Sequence, residues 1–257
     1  MIAFTRADAE AFVRVFAGLA RRAVVVSSSD VYLPMGILNR TETGPPVPVP
    51  MNEDAPQRRK PSIHGPEREK QHVEQVVSDA STLPATILRF PAVYGPGTHR
   101  HGDWVRRMLD DRPAIIVGKG YVEFRFSHGY AEDVAMSIML AATDDLAAGR
   151  VYNVGERDVP TERERLERWA RVARWNGRII EVPDEQIPGG DGLPFPGQDW
   201  WLDTSRIRAE LGYREVADED EAIRATIGWQ RDHPNGPGMP SPWDYAKEDA
   251  LLATLER

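Results

Sequence analysis

Apolar residues at Ala9, Phe12, Val13, Phe16, Ala17 and Ala20 recur at helical spacing behind Thr5 and Asp8, either of which can cap. This predicts a first helix that stops before Arg21 and Arg22. The run Ala23-Val24-Val25-Val26 has no polar alternation and predicts a strand covered on both faces, as in a parallel sheet. It opens into Ser27-Ser28-Ser29-Asp30-Val31-Tyr32. Residues 33–61 are rich in Pro, Gly and charge and too long for an ordinary connection, which marks a functional loop. A helix over 67–80 and a second buried strand over 84–90 follow. Beyond Pro91 the elements shorten: a loop at 94–97, a helix near 103–111, and strands over 114–117 and 123–127 joined through Gly118-Lys119-Gly120 as a hairpin turn. Residues 131–143 are apolar on most sides and predict a buried helix. Then come a strand over 151–154, a helix over 161–174 opened by a Thr161/Glu164 capping box, and a strand over 178–182. A Pro/Gly loop over 183–197 precedes a helix over 204–211 stopped by Gly212. The last helix covers 222–233, and the tail after Pro234 is expected to be partly loose.

Alternating buried strands and helices followed by smaller mixed elements predict an α/β architecture with a second, smaller lobe. At 257 residues and 41% hydrophobic content the chain can bury a core without a staple. It has no Cys, which excludes a disulfide framework, a thiol nucleophile and Cys-ligated metal, and agrees with a cytoplasmic location. A formal charge of −8 argues against nucleic acid or an anionic membrane as partner. No apolar run approaches the roughly 20 residues of a spanning helix. The amino terminus lacks a basic stretch followed by an apolar one, so it does not resemble a signal peptide. His99-Arg100-His101 with Asp103 has the residue types of a metal site, but two alternate residues of a loop lack convergent partners, and no metal is expected. Trp200 and Trp201 are expected to pack the second lobe.

Six segments together resemble the extended short-chain dehydrogenase/reductase family, the NAD-dependent epimerases and dehydratases. They are VVVSSSDVY at 24–32, KQHVE at 70–74 (KxxxE), LRFPAVYGPG at 88–97, FRFSHGYAEDV at 124–134, VYNVG at 151–155 and IRAELGY at 207–213. They stand in family order over about residues 1–233. The resemblance implies a partial Rossmann-like parallel sheet: a remnant of the dinucleotide-binding domain over 1–97 with return elements near 123–154, a mainly substrate-binding lobe over 98–233, and a tail over 234–257. It also implies that the chain starts after the family's first three strands, leaving a sheet edge exposed. No G-x-G-x-x-G or G-x-x-G-x-x-G occurs in the sequence.

By the same resemblance the chemistry is hydride transfer at a secondary alcohol or ketone of a small molecule such as a nucleotide sugar, with NAD or NADP as cofactor. Ser28 takes the place of the hydroxyl that orients the reacting oxygen. Lys70 takes the place of the lysine that acidifies a phenol and holds the cofactor ribose. Four residues before Lys70, where the family has its tyrosine, stands Pro66; a shifted frame places His64 before Arg68 as the acid/base. Pro91, Ala92 and Val93 match the backbone that meets the nicotinamide amide. Ser29, Tyr32, Arg100 and Arg125 are the expected substrate contacts, Arg125 through bidentate bonding to a diphosphate. Without a glycine loop, weak or no cofactor binding is expected for this chain alone. Two classes of function stand: an epimerase, dehydratase or reductase, with a homo-oligomer possible, and a non-catalytic binding or interaction protein that has lost the cofactor.

Overall fold

The uninterrupted apolar run at 23–26 has a layer to bury into on each side. In the computed structural model, which describes residues 1–61, 65, 69–187, 197–235 and 245–255, it forms β1 (Ala23–Ser28). β1 pairs in parallel with β2 (Ala85–Phe90), Ala23 opposite Ala85 and Ser28 opposite Phe90. β2 pairs in parallel with β6 (Val151–Asn153), Arg89 opposite Asn153. On the other side of β1 the first residues lie alongside it, with Ile2 bridged to Val26 in parallel and the Val26 N–H donating to the Met1 carbonyl at 2.9 Å. Ile2 and Phe4 are exposed there.

One face of the sheet is covered by α1 (Arg6–Phe16), with its capping box of Thr5 and Asp8, and by α3 (Lys70–Ser78). Ala9, Val25, Val73, Val77 and Ile87 form that core layer. The other face is covered by α6 (Ala131–Thr143) and α8 (Ser205–Leu211), where Leu88, Val134, Tyr152, Ile207 and Leu211 form the second layer. Neighbours along β2 therefore enter different layers, as strand alternation requires. The result is a three-layer α/β unit made of Met1–Val93, Phe126–Val159 and Gln198–Ala217. It also holds the short helix α2 (Leu33–Leu38) and the paired strands β3 (Ala92–Tyr94) and β5 (His128–Tyr130).

A second unit comprises Tyr94–Arg125, Pro160–Gly197 and Asp218–Arg257. Its parallel pair is β4 (Ala114–Gly118) with β7 (Arg178–Val182). Around that pair lie α4 (Gly102–Leu109), α5 (Lys119–Glu123), α7 (Glu162–Ala173) with the expected Thr161/Glu164 box, α9 (Glu219–Asp232) and α10 (Ala246–Leu255).

Five expectations are corrected. Gly118-Lys119-Gly120 is no hairpin turn: β4 ends at Gly118, and α5 begins under the Asp184 carboxylate, which accepts the Gly120 N–H at 3.1 Å. A Cβ on Gly118 would lie 2.0 Å from Asp184 Oδ1, so these glycines serve a close approach. The expected strand over 123–127 is reduced to single bridges, Arg125 with Thr161 in the second unit and Phe126 with Trp200 in the first. α6 buries only the face with Val134, Ser137 and Ala141 and exposes Ile138 and Met139. The tail carries α10, held by ion pairs of Glu248 with Arg107 of α4 and of Asp249 with Arg112 just beyond α4, and by buried Leu252. Trp200 stacks on Phe126 in the first unit, not the second. No helix among the described residues is long and apolar enough to cross a membrane.

Candidate functional site

The carboxyl end of a parallel strand is where α/β sheets meet ligands, because backbone and loop groups there are not used up by pairing. In the first unit β1 ends in three serines with different fates. Ser27 is buried and its hydroxyl donates to Glu74 Oε1 at 2.6 Å. Ser28 is half-buried, and its Oγ accepts the Asp30 N–H at 3.2 Å, capping a 3-10 turn over Ser29–Val31. That bond uses one lone pair and leaves the Ser28 proton to be donated elsewhere. Ser29 keeps 2% of its surface and has no face for a substrate.

Lys70 opens α3 and reaches the same strand end. Its Nζ donates to the Ala3 carbonyl at 2.6 Å and, at 3.4 Å, to the carbonyl of Val26, two residues before Ser28. The Phe4 ring lies 4.7 Å from the ammonium. Burial holds the Lys70 pKa below its ordinary value, opposed by the negative charges of Asp30, Glu74 and Asp8.

Tyr32, expected to touch substrate, is an internal strut. It is fully buried; its hydroxyl donates to Asn153 Oδ1 at 2.6 Å and accepts from Arg89 Nη1 at 2.9 Å. Asn153 in turn donates through its backbone to Glu53 Oε1 and through its side chain to the Met51 and Asp203 carbonyls. Residues 51–53 of the long loop are thereby fastened to the sheet. Sequence reasoning missed Glu53, Arg89 and Asn153 as a network, although a charge inside the apolar strand at 84–90 is a signal that a buried partner must exist.

Burial, opposed by Arg89, pushes the Tyr32 pKa up to about 12 from 10.0. A raised phenol pKa means the fold prefers the neutral form. Its contribution is therefore complete below about pH 10 and lost as pH rises through about 12, amounting to roughly 2–3 kcal/mol. Tyr32→Phe should lose less stability than the parent chain across that window in urea titrations; equal losses would remove the assignment.

Pro91, Ala92 and Val93 lead into and form β3, where the Ala92 N–H is already committed to the Ser127 carbonyl at 3.3 Å. The Pro91 ring lies 3.2 Å from where a Cβ on Gly129 would stand. The Ala92 amide is thus spent on the sheet, against the expected nicotinamide contact, and half-buried Val93 is the more open of the three. His64 lies outside the described residues. Arg100 and Arg125 belong to the second unit. Arg100 is exposed, with its carbonyl held by Gln230 Nε2 at 2.9 Å, and Arg125 is half-buried within the field of Glu164. His99 packs edge-on against Trp229 and His101 stacks on Trp104.

The structure thus sets the Lys70 ammonium on the Val26 carbonyl, two residues before Ser28 in the same strand. The residue types fit the ribose and nicotinamide end of a dinucleotide: a half-buried ammonium with one N–H beyond its two carbonyl bonds, and on the same strand a hydroxyl able to donate. The sequence offers no glycine-loop motif for the pyrophosphate end.

The chain is 27% identical over 176 residues to the uncharacterized protein YbjS of Escherichia coli (strain K12), covering 58% of this chain and 50% of that protein. It is 22% identical over 160 residues to a UDP-N-acetyl-alpha-D-glucosaminuronate decarboxylase of Bacillus cytotoxicus, covering 60% and 48%. The chain spans about half the length of these curated relatives. Among solved structures, UDP-glucuronic acid 4-epimerase from Bacillus cereus, in complex with UDP-glucuronic acid and NAD, superposes with a TM-score of 0.60 at 17% identity. That match covers 88% of this chain and 66% of the epimerase, and it shows a shared fold. The family model for the NAD dependent epimerase/dehydratase family matches residues 4–155. That is more than half of the 257 residues, and the chain belongs to the NAD dependent epimerase/dehydratase family.

Proposed function

We propose that this chain is an NAD(P)-dependent epimerase-, dehydratase- or reductase-like protein acting on a nucleotide-sugar-like or other carbonyl substrate. The observation that supports the reading is the half-buried Lys70 ammonium on the Val26 carbonyl of β1, the strand that ends at Ser28. Ser28 donates its hydroxyl proton to the reacting oxygen and orients it. Lys70 places a cation beside the cofactor ribose and lowers the pKa of the group that moves the proton, which in this reading is His64. Val93 borders the nicotinamide, and Arg100 and Arg125 take the phosphates of the substrate. NAD(P), when bound, takes up and returns the hydride. The protein is cytoplasmic in this reading, and a homo-oligomer is compatible with it.

The test is turnover by the 257-residue chain with millimolar NAD and a panel of UDP-sugars, followed both as NADH absorbance and as converted sugar nucleotide by chromatography. Ser28→Ala should slow turnover about tenfold by losing one oriented hydrogen bond. Lys70→Ala should weaken cofactor binding and turnover together. Parent rates in both variants would reduce them to a turn cap and a helix-end lysine. Pro66 in place of the family tyrosine favours a second reading, a non-catalytic binding protein. Sugar-nucleotide binding with neither substrate-dependent NADH nor a converted sugar nucleotide would support it.

A further inference from the structure

Arg58 lies outside every motif of the sequence reading, yet its side chain keeps 1% of its surface. Its guanidinium serves three separate pieces of chain. Nε donates to the Asp30 carbonyl in the turn that follows Ser28. Nη1 donates to the Lys60 carbonyl at 2.9 Å. Nη2 donates to Glu69 Oε2 at 3.1 Å and stands 3.8 Å from Asp30 Oδ1. Glu69 occupies the N-cap position of α3 but makes no capping bond with its side chain. Its carboxylate meets Arg58.

The backbone around Arg58 is fixed as firmly. Its N–H donates to the Val31 carbonyl at 2.8 Å, and its own carbonyl accepts Gln71 Nε2 at 2.7 Å. The N–H groups of Arg59 and Lys60 both donate to Glu42 Oε1, at 2.6 and 3.0 Å. A planar fork with five donors can hold a carbonyl, a second carbonyl and a carboxylate at once; an ammonium cannot span them.

We propose that Arg58 is a positioning residue that locks the Ser28–Val31 turn against the first turn of α3 and so sets where Lys70 stands relative to Ser28. The significance of that geometry for hydride transfer rests on the function proposed above. The clamp itself is a property of the unit that can be read without activity.

The chain has four lysines, at 60, 70, 119 and 247, so Cε-labelled lysine gives a resolvable carbon spectrum, with Lys70 assigned by Lys70→Arg. The charges around Lys70 are Asp8 from α1, Asp30 from the turn and Glu74 from α3. Those facing Arg58 are Asp30 and Glu69. Arg58→Lys keeps the charge and removes the fork. Loosening of the turn should admit water to Lys70, so its titration midpoint should rise toward the ordinary 10.5, while the Lys119 and Lys247 signals stay put. A role limited to charge predicts no movement. In the hydride assay the same variant should lower kcat by about tenfold or more with KM for the sugar nucleotide unchanged.

Should Arg58→Lys fail to fold, Gln71→Ala loosens the same clamp without altering charge and should raise the Lys70 midpoint by a smaller amount. An unmoved Lys70 midpoint in a folded variant overturns the proposal. A parent chain silent in the hydride assay overturns the enzymatic reading alone, and the Lys70 spectrum still decides the clamp.

Discussion

Glu74→Ala is expected to cost about 3–5 kcal/mol of folding free energy, because it strands a buried guanidinium. The side chains of Arg89 and Glu74 keep 4% and 8% of their surface. Arg89 approaches the carboxylate with two parallel bonds, Nε to Oε1 at 3.0 Å and Nη2 to Oε2 at 2.8 Å. Burial alone would lower the Arg89 pKa; the hydrogen bonds to Glu74 reverse that and raise it. The remaining donor, Nη1, serves the Tyr32 hydroxyl and the Glu53 carbonyl. Removing the carboxylate leaves the cation with neutral partners only, and also releases the Ser27 hydroxyl. Urea unfolding followed by circular dichroism measures the loss. Replacing both partners, as Glu74→Leu with Arg89→Met, should recover most of it, since the desolvation penalty leaves with the charges. A loss under about 1 kcal/mol in Glu74→Ala would place the pair in the class of weak surface bridges.

This pair also marks how far the sequence could be read. Glu74 and Arg89 stood in two separate motifs, KxxxE and LRFPAVYGPG, and nothing in their spacing joined them. The parallel register of β1 and β2, with α3 packed over both, is what makes them one bond. The core elements were legible because helical and strand periods are local: α1, β1, β2, β7 and α8 follow the predicted runs closely. Elements whose conformation is decided by a distant group were not. Gly118-Lys119-Gly120 has the composition of a turn, and the Asp184 carboxylate, 64 residues beyond Gly120, makes it the start of a helix. α10 has no apolar stripe to announce it and is held by ion pairs with Arg107 of α4 and with Arg112 just beyond it. Ser28 and Lys70 stand out in the sequence by their motif positions, and the structure sets the Lys70 ammonium on the strand that Ser28 ends. The inward fates of Ser29 and Tyr32 were not legible, because a polar side chain at a strand end reads the same whether it meets a ligand or a buried asparagine.

The 257-residue chain should bind NAD(H) and NADP(H) with no affinity tighter than about 100 μM, or roughly −5.5 kcal/mol. Dinucleotide affinity is concentrated at the pyrophosphate, where a glycine loop brings backbone N–H groups and a helix amino terminus against two negative charges. This sequence contains no such loop motif, and its net charge of −8 supplies no general attraction for an anion. What remains, in the proposed function, is one end of a site. Lys70 has two of its three N–H groups engaged by the Ala3 and Val26 carbonyls, and the Ala92 amide is spent on Ser127. One free N–H and the Ser28 hydroxyl can contribute about 1–3 kcal/mol each if charge-assisted, before the cost of immobilising the ligand is subtracted. Calorimetric titration at low ionic strength measures the affinity, and Lys70→Ala should abolish whatever residual binding is seen. Micromolar binding that survives Lys70→Ala would mean that the cofactor is held elsewhere on the chain and that the strand-end site has been assigned to the wrong ligand.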